Sequence, residues 1–134
     1  MNLEKYSFGI GGRFGHQGKG QLKGILAARA HGISTVPVWN KSNRAHSMIG
    51  MRPADTRRGA DRAVQATGWT DSYYVDADHV QLGTVDGFID ASNFFTLDVA
   101  DSIGQPAGEE RIADFVRHYA ILNLCLSIRM LKNE

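Results

Sequence analysis

Hydrophobic and polar positions along this chain alternate between two rhythms. Short runs rich in β-branched and aromatic residues read as strands, and longer stretches with apolar residues three and four apart read as helices. Ser7-Phe8-Gly9-Ile10 is the first predicted strand. Gln17 to His31 reads as a helix, with Leu22, Ile25, Leu26 and Arg29 at helical spacing and Gly32 as its stop. Thr35-Val36-Pro37-Val38-Trp39 is the second strand, with Pro37 marking a poorly paired position. A polar loop is expected from Asn40 to Arg52. The next helix opens at Pro53, which suits a first helical turn, and runs to about Thr67 with Gly68 as its cap. Ser72 to Asp76 is the third strand, Thr84 to Ala91 a short helix, and Phe94 to Asp98 the fourth strand. Glu109 to Leu131 reads as helical.

The pattern is therefore α/β, with about four βα units, each roughly the 30 residues such a unit needs. Parallel strands with crossover helices follow from that alternation. Two architectures fit: a small doubly wound sheet, or part of a (β/α)₈ TIM-like barrel, which typically takes ~250 residues. Half a barrel has two open edges that must be paired or covered. Ile121, Leu122, Leu124, Cys125, Leu126, Ile128, Met130 and Leu131 surround the last predicted helix, and a helix apolar all round expects burial on several sides. The 134 residues carry no Pro/Gly/Ser linker or charge block, so a single (β/α) domain, an incomplete barrel, is expected. Its open edges would be met by a second copy or by a complementary barrel fragment.

Composition narrows the function. Fifteen Lys plus Arg against fourteen Asp plus Glu give a formal charge of +1, which argues against an electrostatic nucleic-acid binder. One cysteine makes no internal disulfide, and Cys125 among apolar neighbours reads as core. The N-terminus has no apolar signal run, and Tyr119 to Leu131 is too short and too polar for a membrane span. A cytoplasmic protein without membrane partners is expected.

Three places could carry chemistry. The glycine run Gly9 to Gly20 joins a strand to a helix, where backbone N–H groups can meet an anion. Its spacing fits neither the dinucleotide fingerprint nor a P-loop. A tight turn needing positive φ is the competing reading. Arg13, His16 and Lys19 make it an attractive anion or metal loop. The strongest signal is Asp76-Ala77-Asp78-His79, which closes the third strand. Asp76 and Asp78 share one face by strand alternation, and His79 can turn in where the strand ends. In a (β/α) fold this is the carboxyl edge, where active sites collect. A carboxylate beside a histidine suits a divalent metal, with the second carboxylate as a base. An Asp capping the next helix and a surface His is the alternative. The fourth strand also ends in acids, Asp98-Val99-Ala100-Asp101, with a capping role open for Asp101. More weakly, Lys41 and Arg44 could meet a substrate carboxylate, although a solvated loop explains them as well.

Three segments together are specific. Tyr6 to Gln17, Pro37 to Lys41, and Tyr74-Val-Asp-Ala-Asp-His79 followed by Phe95-Thr-Leu-Asp-Val-Ala-Asp101 resemble the tagaturonate/fructuronate epimerase family of hexuronate catabolism. The resemblance runs from Tyr6 to about Asp101. It implies a metal-dependent isomerase acting on keto-hexuronates, with a divalent cation as cofactor and a small sugar acid as substrate. It implies His79 as a metal ligand and Asp78 as proton acceptor. Arg13, His16, Lys41, Asp76 and Asp98, read from their own positions, are the weaker substrate-binding candidates. Two departures stand out: Gly12 replaces an acid the family usually carries, and family members are several times longer. One His does not make a catalytic metal site, which commonly uses three protein ligands. The chain alone is therefore expected to be inactive. Another metal-assisted sugar enzyme such as an aldolase, or a non-catalytic remnant, are the competing functions.

Overall fold

A computed structural model describes residues 3–119. They fall into two compact units, divided between Val99 and Ala100. The first holds four strands: β1 (Ser7–Gly9), β2 (Val36–Ser42), β3 (Tyr74–Val80) and β4 (Phe94–Leu97). Between them lie α1 (Gly18–Ala30), α2 (Asn43–Met48), α3 (Pro53–Thr67) and a single 3₁₀ turn at Val85–Gly87. The second unit has a 3₁₀ turn at Ala100–Ser102 and α4 (Glu109–Tyr119). Glu109 and Glu110 in the first turn of α4, and Arg117 and His118 in its last, complement the helix dipole. The all-apolar helix expected around Cys125 lies outside the described residues.

All neighbouring strands are parallel, and they follow one another in the order β1-β2-β3-β4. That order separates the two architectures. A doubly wound sheet reverses direction at a switch point. Here each crossover steps the same way, and crossovers of one hand then put the connecting helices of the first unit on one face. The fold is that of a curled, half-barrel sheet, as in part of a TIM-like barrel.

The helix-side core joins Ile10, Leu22, Ile25, Trp39, Ala60, Ala63, Trp69 and Val75. Small residues let α1 and α3 approach closely: a Cβ on Gly18 would sit 3.2 Å from that of Ala63. The opposite face starts with a second cluster, Val36, Val38 and Tyr74 with Phe94 against it. Both long helices end as predicted. Gly32 (φ 81°) follows α1, with Ile33 N–H donating to the Ala28 carbonyl at 3.1 Å. Gly68 (φ 65°) follows α3, with Trp69 N–H on the Val64 carbonyl at 3.2 Å. Pro37 lies inside β2, beside Phe8 of β1, and pairing with β3 begins only at Val38. Its missing N–H therefore falls where the strand has a neighbour on one side only.

Three expectations are corrected. The polar loop from Asn40 is not a loop at its start: β2 continues to Ser42, and α2 follows at once. Ser42 caps α2, its hydroxyl accepting from the Ala45 N–H at 3.2 Å. The third strand runs to Val80 rather than ending at Asp76. The helix expected over Thr84 to Ala91 is a single turn, Val85–Gly87. Phe88, buried against Ala77 and Val80, anchors that segment by packing instead of by helix length.

Candidate functional site

Strand register distributes the candidates between the two faces of the sheet. Asn40 pairs with Asp76, Ser42 with Asp78, and Asp76 with Phe94. By the period of two, these residues continue the Val38, Tyr74 and Phe94 face, away from the helices. The Thr96 hydroxyl donates to Asp76 Oδ2 at 2.9 Å, which joins β3 to β4 on that face. Asp76 is only 6% exposed, and its Oδ1 has no hydrogen-bond partner among the described residues. Burial pushes its carboxyl above the usual range, with the nearby Asp78 charge adding to the effect.

At His79 the alternation breaks. Register steps from Ala77–Phe95 to Val80–Leu97, so β3 carries one residue more than β4 across that interval. This is a β-bulge. Its extra residue adopts a left-handed conformation, with φ 53° at His79, unusual for a residue with a side chain. The bulge returns Val80 to the helix-side core beside Ala77. It also leaves the His79 side chain 66% exposed, with Nδ1 2.8 Å from Asp78 Oδ1. The Asp78 carboxylate raises the His79 pKa above the usual histidine value, and Asp98 and Asp76 add weaker fields of the same sign. Strained backbone beside a carboxyl-edge acid is the kind of place where function is found. Asp98 is held to β3 by its N–H on the Val80 carbonyl at 3.0 Å, and accepts from Gln81 Nε2 at 3.2 Å. Asp76, Asp78, His79 and Asp98 are thus gathered at one edge.

The other candidates lie elsewhere. Lys41 is on the helix face, 5% exposed, not in a solvated loop. Its Nζ donates to the Arg13 carbonyl at 2.9 Å and contacts Met51 Sδ at 3.5 Å. Burial lowers its pKa. Lys41 is therefore a clasp on the β1–α1 loop. Arg13 and His16 are exposed on that loop. Within the run only Gly15 has positive φ, 69°. Close approach explains others better than turn geometry: a Cβ on Gly11 would lie 2.6 Å from Asn40 Oδ1 and 2.8 Å from the Asn40 carbonyl oxygen.

Sequence reasoning passed over Asn40, Thr96 and His46 as site-adjacent residues. The Ser42 cap was the signal that would have placed His46 on a helix. His46 is buried on α2, its ring 5.6 Å from that of Phe88, edge to face. Burial, with the Lys41 charge nearby, pushes its pKa down to about 4.

Comparison with known proteins gives a fold likeness. The native crystal structure of fructuronate-tagaturonate epimerase from Cohnella laeviribosi matches with a TM-score of 0.64 at 23% identity, over 88% of this chain and 25% of its own. The same epimerase with one glycerol bound matches at 25% identity and a TM-score of 0.64, over 87% of this chain and 26% of its own. With two glycerols bound it gives 22% and 0.62. This chain spans about a quarter of that epimerase's length. No family model matches, and no curated protein matches. The three structural neighbours are thus structures of one epimerase, about a quarter of which shares this chain's fold. Among the described residues, no group of three or more His, Cys, Asp or Glu is placed to hold a metal, and no helix is long and apolar enough to cross a membrane.

Proposed function

We propose that this chain supplies one part of the active site of a metal-dependent, cytoplasmic epimerase acting on keto-hexuronates. The observation that carries the reading is the bulge at His79, at the carboxyl edge of a sheet with the fold of such an epimerase. His79 Nδ1 is bonded to Asp78, so Nε2 is the nitrogen left to ligate. That is the usual arrangement of a metal-bound histidine, whose second nitrogen donates to a carboxylate. The residues therefore fit one ligand and its orienting partner. Further ligands would come from other segments, since three protein ligands are common.

A divalent cation held there would polarise a ketone and its neighbouring hydroxyl. Asp78 has two tasks in this reading. Oδ1 fixes the His79 ring, and the second oxygen accepts a substrate proton as general base. Asp76, buried with one unpartnered oxygen, and Thr96 shape the floor beside it. Arg13 and His16, exposed on the loop held by Lys41, are the groups this reading assigns to a substrate carboxylate. Proton return to the substrate is assigned to groups outside this chain.

Mn²⁺ titration of the isotopically labelled chain tests the reading. Paramagnetic broadening is expected first at the His79 ring and at Asp78, and is expected to vanish in His79→Gln. Broadening centred elsewhere, or unchanged in that variant, would sink the assignment. Conversion of fructuronate by the chain alone is expected to be undetectable by chromatography.

A further inference from the structure

We propose that the crevice between the β1–α1 loop, β2 and α3 binds one ordered water, which ties β2 to α3 beneath the glycine loop. A cavity of about 20 Å³ lies there, lined by Gly12, Gly15, Gly18, Trp39, Lys41 and Thr56 among others. A water needs roughly 10–15 Å³ of such space and two to four polar partners. The partners are present. Trp39 is 5% exposed, and its indole Nε1 is buried with no hydrogen-bond partner among the described residues. Thr56 Oγ1 is buried in the same condition.

The chemistry of these groups selects the ligand. An indole N–H only donates, whereas a hydroxyl both donates and accepts. Lys41 lines the cavity too, and two of its three protons face the Arg13 carbonyl and Met51 Sδ. A water can accept from Trp39 and donate to Thr56, which satisfies both. A metal cation is excluded by the indole and ammonium donors. The glycines keep the space open: a Cβ on Gly18 would lie 3.5 Å from Trp39 Nε1, and one on Gly15 would lie 3.7 Å from Lys41 Nζ. Buried polar groups without partners are rare enough in proteins that each asks for an explanation, and here one molecule answers for two.

The chain carries its own control. Trp69 is also buried, but its Nε1–H donates to the Ser72 carbonyl at 3.1 Å. With ¹⁵N-labelled full chain, the two indole signals are assigned by Trp69→Phe. Water-selective NOE and ROE spectra are expected to show a cross-peak at Trp39, with the opposite signs that distinguish a held water from the sub-nanosecond exchange of surface hydration. None is expected at Trp69. Thr56→Val keeps the shape and is expected to remove the Trp39 peak, and Thr56→Ser to restore it. A crystal structure is expected to place an oxygen about 3 Å from Trp39 Nε1. The proposal is overturned by a Trp39 indole that shows no water contact, by a peak indifferent to Thr56→Val, or by density lacking that oxygen. An anomalous peak there in crystals grown with bromide would also overturn it, in favour of a halide site.

Discussion

Lowering the pH from 7 towards 4.5 is expected to weaken the fold through His46. The side chain is 3% exposed, packs edge to face on Phe88, and buries Nδ1 with no hydrogen-bond partner among the described residues. Its environment favours the neutral ring, with a pKa of about 4 against 6.5 for a free histidine. Below 6.5 the unfolded chain gains a proton that the folded chain refuses until about 4, so stability is lost as pH falls through that window. At 1.36 kcal/mol per pH unit, the full loss is about 3 kcal/mol. That is a large share of the roughly 5–15 kcal/mol that stabilises a typical domain. Two other groups act in the opposite sense. The raised pKa values of His79 and Asp76 mean that acid favours the folded state through them. His46→Leu isolates the term, because it removes the titrating ring and leaves both of the others. The assay is urea unfolding followed by the fluorescence of the two buried tryptophans, across pH 7 to 4.5. Wild-type stability should fall by about 2–3 kcal/mol more than that of His46→Leu over this range. Parallel pH profiles for the two proteins would refute the reasoning.

Two further perturbations test the backbone. His79→Gly relieves a left-handed residue and should raise stability by up to about 1 kcal/mol while abolishing Mn²⁺ broadening at Asp78; a lower melting temperature would show that the bulge is not strained. Gly11→Ala brings a methyl against the Asn40 carbonyl and should cost about 1–3 kcal/mol, read by urea midpoint, whereas a neutral effect would mean that the loop yields freely.

Periodicity made most of this fold legible. Leu22 and Ile25, the Pro53 start and the glycines at 32 and 68 bounded both long helices to within a residue or so. Their spacing and cap chemistry are local signals. The chain between Asn40 and Met51 was misread because its polarity resembles a loop. Lys41 is polar but buried, tied down by a carbonyl that belongs to a residue 28 positions earlier. No local pattern announces such a contact. The candidate acids at β3 were visible as a cluster. The bulge was not, because it follows from a register difference between β3 and β4 that only pairing reveals. Choosing between an open sheet and a barrel likewise required the strand order, which alternation alone leaves undecided. His46 shows the same limit: a histidine in a polar stretch gains its character from Phe88, some forty positions away.

The consecutive order of the strands also bears on how the chain assembles. Among the described residues, β2, β3 and β4 each pair with the strand synthesised just before, so these three pairings do not wait for a partner still to be made. β2 can dock on β1, and β3 on β2, while later residues are still on the ribosome. Growth of this kind keeps each loop closure short, and the entropy of closure rises only slowly with loop length. The sheet can therefore be laid down vectorially, one strand at a time, with the bulge at His79 forming last, as β4 pairs with β3.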